Sequence, residues 1–359
     1  MGGEERVARQ HASGRLTVRE RLDRLFDAGS FRETGSVAGR GTYGPDGDLV
    51  EFLPANMVVG TGRIDGQPAV AQGDDFTVRG GAADAAIWQK ALWAEPPSVW
   101  EAPPVVLDDD RADRREEELA AIVPRDRRTP YDARRLLALV CDRDSVFELG
   151  ARYGRPLITA LARLDGRAVG VLCSDPKHYA GGLTGDASDK LARFVDLCDQ
   201  FHLPVASFVD QPGFVIGTAA ERAGTIRRGA RALFALYQSS VPRAAVLIRK
   251  VYGVAGAGVA TAPFRWAWPS GDWGSLPIEG GLEAAYRREL EAADDREALR
   301  ADIQARLDAV RSPFRTAERF SVEEIVDPRD TRPLLCDWAA RAHAVAAQQL
   351  GRKARGPRP

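Results

Sequence analysis

Apolar and polar positions follow the same order in two stretches of the chain. Residues 60–70 read Gly-Thr-Gly-Arg-Ile-Asp-Gly-Gln-Pro-Ala-Val, and residues 160–169 read Ala-Leu-Ala-Arg-Leu-Asp-Gly-Arg-Ala-Val. Each predicts a strand, a tight Asp-Gly turn and a second strand, since Asp-Gly supplies the left-handed backbone of a two-residue hairpin. Arg63, Asp65 and Gly66 thus have counterparts in Arg163, Asp165 and Gly166. Helical spacing of apolar residues precedes each hairpin, over 16–26 and over 131–140. A Gly-Gly pair follows each, Gly80-Gly81 and Gly181-Gly182, leading into an Ala/Asp-rich helix start. Three matches in one order predict an internal duplication.

The copies then diverge. After Lys190 the second continues as helix 191–201, strand 203–210, helix 227–237 and strand 244–248. The first copy stops after Trp93, where Pro96-Pro97, Pro103-Pro104 and Asp108-Asp109-Asp110 read as a linker. The expected organisation is a truncated unit over 1–93, a linker over 94–128, a complete unit over 129–345 and a basic, disordered tail over 346–359. Helices are expected over 282–310 and 337–350. Strands alternating with helices give an α/β fold.

Composition narrows the function. Hydrophobic residues make up 44% and charged residues 28%, an ordinary globular balance. The 50 Lys and Arg residues meet 51 Asp and Glu residues, which does not favour a nucleic-acid partner. No stretch approaches the roughly 18–20 apolar residues of a membrane span. Cys141, Cys173, Cys198 and Cys336 form no CxxC and read as reduced thiols of a cytoplasmic protein. His11, His178, His202 and His343 show no metal-ligand spacing, so no metal is expected. A Walker loop and a GxGxxG after a strand are both missing.

Chemistry concentrates in a few segments. Strand 244–248 runs through Arg249-Lys250-Val251-Tyr252 into Gly253-Val254-Ala255-Gly256-Ala257-Gly258. A helix starting there leaves backbone N–H groups that can hold an anionic oxygen. The same small residues also suit a close strand–helix crossing. Asp210-Gln211-Pro212-Gly213-Phe214 places a turn at a strand's carboxyl end, where α/β folds line ligand crevices. Trp268 and Trp273 suit either a flat ligand or a subunit interface. His178, just before Gly181-Gly182, reads as a structural histidine or a general base.

Taken together these segments resemble the carboxyltransferase (beta) subunit of biotin-dependent acyl-CoA carboxylases, in the crotonase superfamily. The resembling runs are Gln10-His11-Ala12-Ser13-Gly14-Arg15-Leu16-Thr17-Val18-Arg19-Glu20-Arg21, Gly73-Asp74-Asp75-Phe76-Thr77-Val78-Arg79-Gly80-Gly81 and Asp186-Ala187-Ser188-Asp189-Lys190-Leu191-Ala192-Arg193-Phe194. Further runs are Asp210 to Phe214, Arg249 to Gly253, Ala267-Trp268-Pro269 and Asp327-Pro328-Arg329-Asp330-Thr331-Arg332. The likeness covers roughly 5–93 and 124–345.

The resemblance implies a crotonase/ClpP-like ββα-superhelix, with one complete C-terminal unit and a truncated N-terminal one. It implies transfer of a carboxyl group from carboxybiotin to the α-carbon of an acyl thioester. Two C-half amides, on Val254 and Ala255 after Gly253, would stabilise the oxygen of the biotin urea. Gly181, Gly182, Gly213, Phe214, Gly256 and Ala257 would line the substrate, Ala257 where family members vary with acyl length. The family usually has glycine at the position of Val254, and a β-branched residue restricts the turn. A long segment between the equivalents of Lys90 and Pro96, with the acyl-CoA oxyanion loop, has no counterpart. Neither methionine, Met1 or Met57, precedes a lysine. Biotin is therefore expected on a biotin carboxylase or carrier partner, within a homo- or hetero-oligomer. The alternatives are a malonyl- or methylmalonyl-thioester decarboxylase and a non-catalytic carboxylase-like subunit.

Overall fold

The computed structural model describes all residues except 82–96, 108, 275–281, 284, 311–312, 319 and 354–359. The described chain forms two compact units, Met1–Glu101 and Ala102–Pro359.

In the first unit, helices α1 (Glu4–Ala12) and α2 (Val18–Leu25) lead to β1 (Arg32–Thr34), β2 (Gly39–Tyr43), β3 (Leu49–Pro54), β4 (Met57–Ile64) and β5 (Gln67–Asp74). Thr17 and Glu20 close a capping box that starts α2. Strands β1, β4 and β5 make an antiparallel sheet, and β2 pairs β3. Val18, Leu22 and Phe26 pack with Val58 to form this unit's small core.

The second unit opens with α3 (Ala133–Val140), β6 (Phe147–Leu149), β7 (Leu157–Leu164), β8 (Arg167–Ser174) and α4 (Gly185–Gln200). Then come β9 (Val205–Gln211), α5 (Thr218–Arg222), α6 (Thr225–Gln238), β10 (Arg243–Tyr252), α7 (Gly253–Ala260), β11 (Phe264–Ala267) and β12 (Asp272–Gly274). Helices α8 (Arg287–Ala292), α9 (Arg296–Val310) and α10 (Pro313–Glu318), β13 (Glu324–Ile325) and α11 (Thr331–Ala346) complete it. The sheet order is β13-β11-β10-β9-β8-β7-β6, with β12 beside β10. Strands β6 to β8 are antiparallel, and the pairings from β8 across to β13 are parallel.

The duplication extends to individual hydrogen bonds. The Asp27 carboxylate accepts the amides of Asp65 and Gly66 at 2.9 and 2.8 Å; that of Asp142 accepts those of Asp165 and Gly166 at 2.9 and 2.7 Å. Ser30 Oγ accepts from Arg63 N, as Ser145 Oγ does from Arg163 N. Both Asp-Gly turns carry two successive positive φ angles, 49° and 75° in one and 52° and 74° in the other. A turn aspartate at positive φ gains from outside acceptors of this kind, which fix its amide in place.

Side-chain alternation divides the second core in two. Along β10, Ala244, Val246 and Ile248 face the layer of α3 and α11, while Ala245, Leu247 and Val251 face that of α4, α6 and α7. Strands β9 and β10 are covered on both faces, as parallel strands are.

Three boundaries differ from the sequence pattern. Strand β10 continues through Arg249 and Lys250 to Tyr252, because both charges are buried beside Asp210. The stretch expected as a linker belongs to the second unit from Ala102 on. There Leu119 enters the main core, and Arg114 donates to the carbonyls of Leu139 and Cys141 at the end of α3. The long helix expected over 282–310 breaks between α8 and α9. The tail expected as disordered over 346–359 is ordered through Lys353: Ala346 ends α11, Gly351 is buried and Lys353 Nζ donates to Ser240 Oγ at 2.8 Å, while residues 354–359 lie outside the described residues, as do residues 82–84 of the first helix start.

Candidate active site

Strands β8, β9 and β10 end side by side, and their carboxyl ends gather most of the glycines singled out in the sequence. After β8, Tyr179, Ala180 and Gly181 form a left-handed turn with φ of 49°, 52° and 89°. Gly181 is required there: a Cβ would stand 2.4 Å from the Asp210 carbonyl oxygen. After β9, Leu183 N donates to the Gly213 carbonyl at 3.0 Å, and Val215 N to the Leu183 carbonyl at 2.9 Å. The Gly182 and Gly213 segments are thereby zipped together. Phe214 packs on Gly229 of α6, where a Cβ would stand 2.3 Å from the ring.

After β10 the chain turns at once into α7. Tyr252 is the N-cap, and its side chain caps no amide. Its hydroxyl instead donates to the buried Asp272 carboxylate, which Arg127 also approaches at 3.2 Å. Gly253 takes a φ of 59°, so the left-handed residue of the turn is glycine and not Val254. The β-branched side chain is thus accommodated; Val254 is exposed, while Ala255 is fully buried. Neither the Val254 nor the Ala255 amide donates to any acceptor among the described residues. Gly256 answers to packing, since a Cβ would lie 2.8 Å from the Val251 carbonyl carbon. The close strand–helix crossing accounts for Gly256, and the turn accounts for Gly253.

A cavity of about 630 Å³ opens beside this helix start. Gly253, Val254, Ala257, Trp273 and Gly274 line it, with Leu247, Val251 and Arg265 among the other wall residues. Gly181, Gly182, Gly213 and Phe214, in the loops after β8 and β9, do not line it, and neither do Ala255 and Gly256, which lie within α7. Trp268 is buried in the core, with Nε1 donating to Thr331 Oγ1 at 2.9 Å, so neither ligand stacking nor an interface explains it. His178 Nε2 sits 3.9 Å from the buried Asp175 carboxylate, away from the α7 amides' cavity lining.

Beneath the loops lies a charged network that sequence reading missed. Asp210, fully buried, accepts from Arg249 Nη2 at 3.0 Å and from the Lys250 amide at 3.0 Å. Lys250 Nζ lies 3.6 Å from the same carboxylate and donates to the Ala180 carbonyl at 3.0 Å. Arg249 also donates to the Thr129 carbonyl and stacks over Tyr131 at 5.2 Å. Burial, reinforced by the Asp210 charge, pushes the Tyr131 hydroxyl well above its ordinary range. Lys190 Nζ donates to the Leu157 carbonyl at 2.7 Å, and burial lowers its pKa. The available signal was the pairing of Asp210 with Arg249-Lys250 at the ends of adjacent strands.

The arrangement offers backbone donors, an apolar cavity and buried ion pairs that fix the loops. Among the described residues no group of three His, Cys, Asp or Glu could hold a metal. The chain matches the carboxyl transferase domain family over residues 9–95 and 84–356, two pieces that meet at 84–95. It is 29% identical to the methylmalonyl-CoA carboxyltransferase 12S subunit of Propionibacterium freudenreichii subsp. shermanii over 470 positions, covering 92% of this chain and 89% of that one. With 359 residues here, at least 111 of those positions (470 − 359) face a gap in this chain. It is 38% identical to the propionyl-CoA carboxylase carboxyltransferase subunit of Haloferax mediterranei over 65% of this chain, but spans only 46% of that protein. The crystal structure of transcarboxylase 12S, a hexamer assembly with methylmalonyl-coenzyme A bound, superposes with a TM-score of 0.79 at 27% identity, covering all of this chain and 94% of that one. The fold is accordingly the crotonase-like one, and the break between the two matched pieces falls where the sequence places the missing segment. The chain belongs to the carboxyl transferase domain family.

Proposed function

We propose that this chain is the carboxyltransferase component of a biotin-dependent acyl-CoA carboxylase. The observation that carries the reading is the pair of amides on Val254 and Ala255 that have no acceptor among the described residues, after the left-handed Gly253 and with Val254 on the wall of a cavity. Biotin, brought on a partner chain, supplies a urea that carries and releases the carboxyl group. The residues here suit such a neutral, flat group: the donors are main chain, the walls are mostly apolar, and Trp273 adds an aromatic surface. The Val254 and Ala255 N–H groups donate to the oxygen on which negative charge develops. They are oriented before reaction, so little reorganisation opposes them. The ion pairs of Asp210 keep the neighbouring turns in place.

The donors for the acyl-CoA enolate belong to the segment that this chain lacks, and another subunit supplies them. A cytoplasmic setting accords with four unpaired, buried cysteines; no helix among the described residues is long and apolar enough to cross a membrane.

The test is isolation through a tag on this chain in its own host. A biotinylated protein should accompany it, and the complex should fix labelled bicarbonate onto acyl-CoA with ATP. A complex that is inert and free of biotin overturns the reading and favours a non-catalytic subunit. Loss of CO2 from methylmalonyl-CoA without transfer points instead to a decarboxylase.

A further inference from the structure

The cavity beside α7 contains a charge that the chemistry above does not use. Arg265, on β11, lines it together with Val254 and Ala257. Its Nε is buried without a partner, and among the described residues its guanidinium makes no hydrogen bond or ion pair. The nearby Glu323 carboxylate is engaged by the Arg265 backbone N–H instead. A guanidinium in a largely apolar wall is stabilised by a carboxylate that it can hold with two parallel hydrogen bonds.

Position says where such a carboxylate would lie. Arg265 pairs with Ala245, seven residues (252 − 245) before Tyr252 on β10; that is about 23 Å along the strand. Helix α7 runs back over only part of this distance: Val254, Ala257 and Thr261 stand at i, i+3 and i+7 on one face, spanning about 10 Å. Arg265 therefore stands at the end of the groove remote from the free amides. Between the two ends the wall is small or apolar, through Ala257, Ala260, Leu247 and Val251.

We propose that Arg265 is a specificity residue for an acyl group with a second carboxylate at its far end, an ω-carboxyacyl thioester. This rests on the carboxyltransferase reading, with the reacting α-carbon near the α7 amides and the acyl chain lying along the helix.

The experiment uses the complex purified through this chain and a panel from dodecanedioyl- to octadecanedioyl-CoA, long enough to reach from the α7 amides to Arg265, each set against its neutral acyl-CoA of equal length. Wild type should favour at least one acidic member by about tenfold or more in kcat/KM, carried mainly in KM. Arg265→Gln should bring that ratio to about one, and Arg265→Lys should retain part of it. If Arg265→Gln depresses acidic and neutral substrates alike, or wild type prefers the neutral ones, the proposal fails and carboxyl transfer stands. Calorimetric binding of the same pairs separates the two ideas where turnover is nil. Tighter binding of the acidic member that is lost in Arg265→Gln keeps this proposal and removes the catalytic one. Equal binding, or none, removes this proposal.

Discussion

Lys250 Nζ donates to the carbonyl oxygen of Ala180 across 3.0 Å, joining the end of β10 to the left-handed turn after β8. The same lysine answers Asp210, whose carboxylate also holds Arg249. Removing Asp210 leaves two buried cations, whereas removing Lys250 leaves the Asp210–Arg249 pair intact. Asp210→Asn should therefore cost about 3–5 kcal/mol of stability, and Lys250→Met only about 1–3 kcal/mol. Urea unfolding of both variants checks the order; equal losses would show that the network does not act through Asp210.

The turn at 179–181 makes a second comparison. Gly181 faces the Asp210 carbonyl at a φ of 89°, so Gly181→Ala meets both strain and contact and should lose at least about 2 kcal/mol. Ala180 sits at 52°, where glycine relieves the strain but costs chain entropy. Ala180→Gly should gain about 0.5 kcal/mol. Denaturant midpoints that move in opposite directions are the expected outcome.

The donor role of the α7 amides can be probed without changing a charge. Val254→Pro deletes one N–H in the first helical turn, a position that tolerates proline, and the Val254 side chain is exposed. Loss of one such donor should lower kcat about 10²–10³-fold, with circular dichroism and melting temperature close to wild type. A variant that folds and retains full kcat would remove Val254 from the chemistry.

Acid should weaken the second unit through His343. Its Nε2 donates to the Ala168 carbonyl at 2.8 Å, and burial lowers its pKa. A depressed folded-state pKa favours the neutral ring in the fold, while the unfolded chain takes up its proton near pH 6.5. The stabilisation is full above about pH 6.5 and is lost as pH falls from there through the folded-state pKa. Urea midpoints at pH 7.5 and 5.5 should differ more for wild type than for His343→Gln.

The hairpins, the Asp-Gly turns and the helix after Tyr252 were legible because local chemistry dictates them: positive φ, alternation and small residues at close crossings. Arg249 and Lys250 looked like a strand's end because their counterion, Asp210, is distant in sequence and comes near only through parallel pairing. The 102–128 stretch looked like a linker for the same reason. Its prolines and aspartates read as solvated until Arg332 closes on Asp142 and on the Asp110 carbonyl. Arg265 carried no signal, since on strand β11 it is one arginine among many until the groove wall is seen.

Gly253 alone takes the left-handed backbone at the head of α7, and this has an evolutionary consequence. The next position is released from conformational duty while its N–H stays in place, so its side chain can drift through many residue types. Selectivity at the mouth of the pocket can then be retuned by ordinary point mutation, with the reaction's electrostatic machinery left intact.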